Sequence, residues 1–291
     1  MNKMVRSSVA LVLVAGASFL TTGCAVECHE ETDPKTGKKV EVCEAVTLTR
    51  FEAPERAHTL TYARGSDILI DGTNGDITVQ PGGADQVYVT FSPFTMAKEE
   101  EEDAAKREME DLLVTEATDS GGIVIRASRK DGSSSYLGAD ISVTLPTGYT
   151  GGVTVDVGNG FLRADLGGTQ KSTTIKNDGA GDLKVDNAAG KLDIVGDFEV
   201  DVSVAKWGAA GETGSVRSSG LLGKVSLAVP TDAKGRVQAT SKDGVVTGPS
   251  PLPSGWEEEA AADNSKTFTF GGGSGANVTC DADEGVTISA R

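Results

Sequence analysis

Apolar residues fall two apart along most of this chain. The pattern is densest between residues 141 and 230. There Leu162 and Ala164, Leu183 and Val185, Leu192 and Ile194, and Val225, Leu227 and Val229 alternate with polar or small residues, in segments opened by Gly160, Gly181, Gly190 and Gly223. A period of two buries one face of a strand. Similar segments occur at Val46-Thr47-Leu48, Thr59-Leu60-Thr61-Tyr62, Ile68-Leu69-Ile70, Ile77-Thr78-Val79, Val87-Tyr88-Val89, Ile123-Val124-Ile125 and Ile141-Ser142-Val143. After residue 255 the pattern returns in Phe268-Thr269-Phe270, Val278-Thr279-Cys280 and Val286-Thr287-Ile288, the last two read as a final rung that caps the stack. Phe268 and Phe270 are expected to close the core at that end.

Glycine, asparagine and aspartate punctuate these segments every ten residues or so, as short stacked strands require, because such residues tolerate left-handed corners. Asn74-Gly75 marks a hairpin or tight turn. Asp156-Val157-Gly158-Asn159-Gly160, Asn177-Asp178-Gly179 and Asp186-Asn187 are expected corners, and the proline-rich stretch 249–255 is the strongest break. The expected fold is all-β: a solenoid of the β-helix or β-prism kind, with a β-sandwich as the alternative. One segment reads differently. Residues 95–113 fit a helix capped by Thr95, with Ala105, Met109, Leu112 and Leu113 on one face, lying across an end or edge of the β domain. Its acidic run 99–103 reads as a solvated helix face rather than a calcium patch.

Composition supports a thin, repetitive core. The 291 residues include 37 glycines and only 5% aromatics. The formal net charge of −16 disfavours nucleic acid and anionic lipid as partners.

The N-terminus carries an address. Lys3 and Arg6 precede an apolar run from Val9 to Leu20, and Leu20-Thr21-Thr22-Gly23-Cys24 follows. The run is too short to span a membrane and reads as a secretory signal covering residues 1–23. The Gly23-Cys24 junction resembles the lipobox of bacterial lipoproteins, although Thr21 stands where that pattern prefers leucine. The resemblance implies a diacylglycerol-modified Cys24, N-acylated by a chain such as palmitate, as the first mature residue. It makes the membrane a partner through the anchor. Ala25 in place of aspartate resembles lipoproteins sorted to an outer membrane. The alternative is ordinary cleavage beside an incidental cysteine.

Export implies an oxidising compartment. Cys28 and Cys43 flank Pro34 and Gly37, so a Cys28–Cys43 disulfide closing a hairpin is the favoured pairing. Pairings of either with Cys280 stay open. A loop of that size stabilises by about 3 kcal/mol in the chain-entropy model. A zinc site from Cys28, His29 and Cys43 fits no standard spacing. Residues 24–45 then form a tether and residues 46–291 the β domain.

These features together resemble the adhesin-type β-strand-repeat proteins of bacterial envelopes, a family of unknown function. The likeness rests on Asn74-Gly75-Asp76-Ile77-Thr78-Val79, the acidic helix entering Leu112-Leu113-Val114, Ile123-Val124-Ile125, Ile141-Ser142-Val143-Thr144-Leu145-Pro146 and Glu284-Gly285-Val286-Thr287-Ile288. It implies a β-helix or β-prism and brings no active-site residues.

Catalytic chemistry is thinly supplied. His29 and His58 are the only histidines, and no serine elbow is present. Asp156, Asp165, Asp182, Asp186, Asp193 and Asp201 could line one face as a glycosidase would need. The glycine run 271–275 has no following lysine or helix to cradle phosphate. The expectation is a lipid-anchored envelope protein with a structural or adhesive role, no catalysis and no cofactor, whose partner is an envelope protein or polysaccharide. A carbohydrate-active β-helix enzyme and a periplasmic scaffold or regulator are the competing readings.

Overall fold

The structure, a computed structural model, describes residues 22–32, 38–83, 85–119 and 122–291. The signal segment and the turn expected around Pro34 and Gly37 lie almost wholly outside them. The fold is all-β, as two large sheets and no closed barrel. In chain order the strands are β1 (Thr22–Thr32), β2 (Lys39–Glu52), β3 (Arg56–Thr61), β4 (Asp67–Gly72), β5 (Ile77–Pro81) and β6 (Gln86–Ala97). Helix α1 (Glu102–Glu108) follows, then β7 (Leu112–Asp119), β8 (Gly122–Arg129), β9 (Gly138–Leu145), β10 (Gly152–Val157), β11 (Leu162–Asp165) and β12 (Ser172–Asn177). The remainder are β13 (Leu183–Ala189), β14 (Lys191–Gly196), β15 (Glu199–Lys206), β16 (Thr213–Ser218), β17 (Lys224–Val229), β18 (Gly235–Ser241), β19 (Val245–Thr247), β20 (Trp256–Ala262), β21 (Ser265–Phe270), β22 (Ala276–Ala282) and β23 (Gly285–Ala290).

From β10 to β17 the chain alternates between the sheets. Each pair of strands makes one rung, and successive rungs pair in parallel: β10, β12, β14 and β16 in one sheet, β11, β13, β15 and β17 in the other. Parallel register aligns like with like. Ile70, Val155, Ile175, Ile194, Val216 and Cys280 form one interior row, and Val79, Ala164, Val185, Val202, Leu227 and Ile288 face it from the other sheet. All are buried, so the alternation read from the sequence is the core itself. Each buried valine, leucine or isoleucine in these rows contributes about 1.5–3 kcal/mol. The result is a flattened β-solenoid with a narrow aliphatic interior.

Chain order and spatial order part at both ends. The β8/β9 rung lies outside β4/β5, which precedes it in sequence. At the far end β22/β23 slots between β16/β17 and β18/β19. The segments 276–280 and 286–289 are therefore the penultimate rung, not the cap. The outer rung is β18/β19. The β20–β21 hairpin pairs antiparallel to β18 and closes that end with Trp256, Phe268 and Phe270. Phe270 sits 4.8 Å from Trp256 and 5.1 Å, edge-on, from Trp207. The proline-rich stretch is the connection into this hairpin.

Along one edge the rungs turn tightly, and glycine is there for space. A Cβ on Gly160 would lie 2.1 Å from the Gly75 carbonyl oxygen, and one on Gly181 would lie 1.9 Å from that of Gly160. Asn177 is fully buried beside them and donates to the carbonyls of Gly160 and Gly181. The Asn74-Gly75 turn makes no hairpin: it carries the chain from one sheet to the other, because β4 and β5 each pair within a different parallel sheet. Asp186-Asn187 is not a corner either. It is a bulge within β13, where the pairing with β15 slips and Asn187 takes φ 55°.

The helix is shorter than its sequence pattern. Its flanks, Glu99–Glu101 and Met109–Asp111, are 3-10 turns. Thr95 does not cap it: Thr95 is buried in β6, and its hydroxyl donates to Glu108 Oε2 at 3.1 Å. Leu112 and Leu113 begin β7, leaving Leu113 half exposed while Ala105, Met109 and Leu112 are buried. The acidic run points to solvent, and α1 rests on β2 and β6 at the end of their sheet.

Candidate functional site

The N-terminal hairpin is a long ribbon. Cys28 and Cys43 stand opposite each other in β1 and β2 and form a disulfide. Cys280 is buried inside the solenoid, which rules out its pairing with either, and burial pushes its thiol well above the usual range. The disulfide consumes the sulfurs that a zinc site would need. The His29 ring bonds Glu31 at 3.0 Å instead. Cys24 lies on β1, opposite Thr47. Strand β2 runs unbroken through the boundary drawn at residue 45, so the ribbon continues into the domain sheet. Arg50 fixes that junction: its guanidinium lies 3.8 Å from the Phe94 ring centroid and donates to Asp140 Oδ2 at 2.6 Å.

Asp140 starts a relay of carboxylates between rungs. Its Oδ1 accepts the Asp76 N–H at 2.9 Å, and Asp76 Oδ1 accepts the Phe161 N–H at 3.0 Å. The packed corners shield the Asp76 carboxyl from part of its water, and with Asp140 beside it they hold it above the usual aspartate range. These acids satisfy backbone donors where stacked corners cannot satisfy each other.

The six aspartates suggested by the sequence do not line one face. Asp156 and Asp193 point outward from the sheet of β10 and β14, Asp165, Asp186 and Asp201 outward from the opposite sheet, and Asp182 sits at a corner. On the first face Arg126, Asp71, Asp156 and Lys176 stack in register, with Arg126 donating to Asp71 at 2.6 Å. Burial raises the Asp156 pKa, opposed by Lys176 and assisted by Asp71. Asp193 accepts from Ser215 at 2.8 Å.

On the second face the Asn187 bulge gathers a network that the sequence did not reveal. Asn187 donates to Asp165 at 2.9 Å, and Ser203 donates to Asp186 at 3.0 Å. Arg291 donates to Ser203 at 2.7 Å and to Asn187 at 3.1 Å. Its members are 22 to 104 residues apart in the pairs that join the bulge to Asp165 and Arg291, and only β-pairing brings them together. His58 has a structural place. It pairs with Glu116 at 2.9 Å, joining β3 to β7 across the end of the stack.

A further feature is apolar. Leu221 and Leu222, in the corner between β16 and β17, are 82% and 65% exposed, and Phe198 in the preceding corner is 40% exposed. An apolar pair between Gly220 and Gly223 was visible in the sequence but carried no chemistry there.

The arrangement defines a capped two-sheet β-solenoid with two broad outer faces. Among the described residues no helix is long and apolar enough to cross a membrane.

No family profile matches the chain, and no curated protein matches it. Solved structures do. A proposed cell adhesion protein from Clostridium sporogenes aligns at 12% identity and TM-score 0.42, over 82% of this chain and 100% of that one. A proposed adhesin from Bacteroides fragilis aligns at 11% identity and TM-score 0.31, over 82% and 97%. A proposed lipid binding protein from Parabacteroides distasonis aligns at 9% identity and TM-score 0.29, over 81% and 94%. At these TM-scores the likenesses carry no argument, and the architecture rests on its own strand pairing.

Proposed function

We propose that this protein is a lipid-anchored component of a bacterial envelope whose β-solenoid works as a structural or adhesive binding module. The observation that carries the reading is the pair of outer faces. In-register rungs repeat the same outward position at every strand spacing, as in the row Thr78, Arg163, Lys184, Asp201, Ser226 and Thr287. A surface repeating in one direction suits an extended partner such as an envelope polysaccharide or another surface protein. Cys24 is the anchor; it stands opposite Thr47, two residues from where β2 joins the domain sheet, and the disulfide-closed end of the ribbon projects beyond it. The dispersal of the six aspartates over two faces and a corner favours this reading over a carboxylate-pair glycosidase, whose acid and base must flank one bond.

Protease shaving of intact cells tests the reading. Digestion of the solenoid without lysis supports surface binding. Protection until lysis overturns the adhesive role and leaves a periplasmic scaffold. Separately, Cys24→Ala is expected to release the protein into the soluble fraction, and unchanged membrane partition would remove the anchor from the reading.

A further inference from the structure

The edge opposite the tight corners holds a cavity of about 350 Å³ where three neighbouring turns meet. The turn after β15 supplies Lys206 and Trp207, the turn after β17 supplies Asp232 and Lys234, and the loop before β22 supplies Ser274 and Gly275. These turns are distant in sequence. The insertion of β22/β23 beside β16/β17 places them side by side.

Two observations mark this cavity as built to take a ligand. The first is its charge. The chain carries 43 acidic residues against 27 basic ones, so a lysine seldom lacks a carboxylate neighbour. Lys130, Lys171 and Lys224 are among the many that have one. Among the described residues neither Lys206 nor Lys234 has an ion-pair partner, yet both line this cavity. Asp232 is the carboxylate of the lining. Glu212 lies nearby, but its Oε2 already accepts the Ala209 N–H at 2.8 Å.

The second observation is the fit of the glycine loop around Lys234. A Cβ on Gly275 would lie 1.5 Å from the Lys234 carbonyl oxygen, and one on Gly271 would lie 2.6 Å from Lys234 Cγ. Only bare backbone lets the loop pass this close to the Lys234 main chain, which fixes that turn beside the cavity. The opposite wall is fixed as well, since Trp207 is buried and its Nε1 donates to the Ala276 carbonyl at 3.1 Å. The glycine run thus gains from a remote turn the lysine that it lacks in its own sequence. Lys206, Lys234 and Ser274 thus line one space beside the fixed Trp207.

We propose that this cavity is a binding site for an anionic oxygen group, a carboxylate or phosphate, with Lys206 and Lys234 as its charged contacts and Ser274 as a hydroxyl donor. The site is independent of the adhesive reading and stands equally on a periplasmic scaffold.

Calorimetry and amide chemical-shift mapping of the purified protein test it, at low ionic strength, with sodium phosphate, with a galacturonate trisaccharide and with a neutral trisaccharide of the same length. Binding of either anion, with shifts at Lys206, Lys234 and Ser274, supports the site. Preference for phosphate or for uronate identifies which source of the anion it takes. Lys206→Ala and Lys234→Ala are each expected to weaken binding about tenfold, the scale of a charge-assisted hydrogen bond. Asp232→Asn should tighten it. Lys191→Ala, which removes another unpaired lysine outside the lining, should leave it unchanged. No binding of either anion at 10-millimolar order (~10 mM), equal binding of the neutral sugar, or binding that survives the Lys206→Ala/Lys234→Ala double substitution would overturn the proposal.

Discussion

The middle of the solenoid and its two ends use the same strands under different rules. Between β10 and β17 each rung lies on the one made just before it, so sequence neighbours are spatial neighbours. At the ends the succession is broken: β8/β9 sits beyond β4/β5, and β18/β19 beyond β22/β23. The middle needs only small aliphatic side chains and room for the backbone. The ends need covers, because an open rung offers unpaired backbone groups and a bare core to solvent. The antiparallel strands, α1 and much of the aromatic packing are accordingly gathered at the ends.

Several substitutions would break or sharpen this contrast. The largest effect is expected from Phe270→Ala in the cap. Phe270 is fully buried between Trp207 and Trp256, and its removal should cost about 3–5 kcal/mol. Urea unfolding should show that loss, and hydrogen exchange should show β18 to β21 opening before the middle rungs. In the middle, Gly181→Ala places a methyl 1.9 Å from the Gly160 oxygen. A loss of about 3 kcal/mol is expected there with all side chains of the core intact. A loss below about 1 kcal/mol would mean that the corner yields easily and that glycine is not required for stacking.

The ribbon should behave as a third region. Replacing Cys28 and Cys43 by serine removes a loop closure of 15 residues, about 3 kcal/mol in the chain-entropy model. Because β2 pairs with the domain sheet only at Thr49 to Glu52, fraying is expected in the ribbon, with the solenoid midpoint nearly unchanged. Exchange rates resolved by residue would separate the two.

The smallest effect is electrostatic. The carboxyl of Asp76 is raised in the folded state by loss of water and by Asp140. The native protein therefore holds this proton more tightly than the unfolded chain. Stability falls as pH rises from the ordinary aspartate value of 3.8 through the raised one, and the penalty is complete above it. Asp76→Asn keeps an oxygen to accept the Phe161 N–H. It should stabilise at pH 7 by less than about 1 kcal/mol, since the group still meets water. The gain should vanish below pH 3.8. A gain that persists in acid would mean that the carboxyl's charge is not the source.

Much of the middle was legible because its determinants are local. Alternation around Leu183 and Val185 predicts a half-buried strand, and Gly160 and Asn177 predict corners, without knowledge of any partner. The disulfide was legible for the same reason, as two cysteines near in sequence on either side of Pro34 and Gly37. The errors arose where partners are remote. Residues 276–290 look like an ordinary last rung, and nothing within them says that they enter between two earlier ones. Leu112 and Leu113 fit a helical face until β8 pairs with them as β7. Asp186-Asn187 has corner composition, but Ala188 and Ala189 turn back into the core and make a bulge. That the aspartates could share one face stays open in the sequence because a linear chain cannot show which of two opposite sheets a strand joins. The lysine cavity was hidden similarly, its parts lying on three turns.

The slot filled by β22 and β23 also has a temporal meaning. A ribosome releases the β18/β19 strands before the residues that must lie between them and β17. Rungs up to β17 can accumulate in order as the chain emerges, but β18/β19 has no permanent neighbour at that moment. Biogenesis therefore ends with an intercalation, not with simple growth. The outer rung and its hairpin must wait, or open, until the late strands arrive.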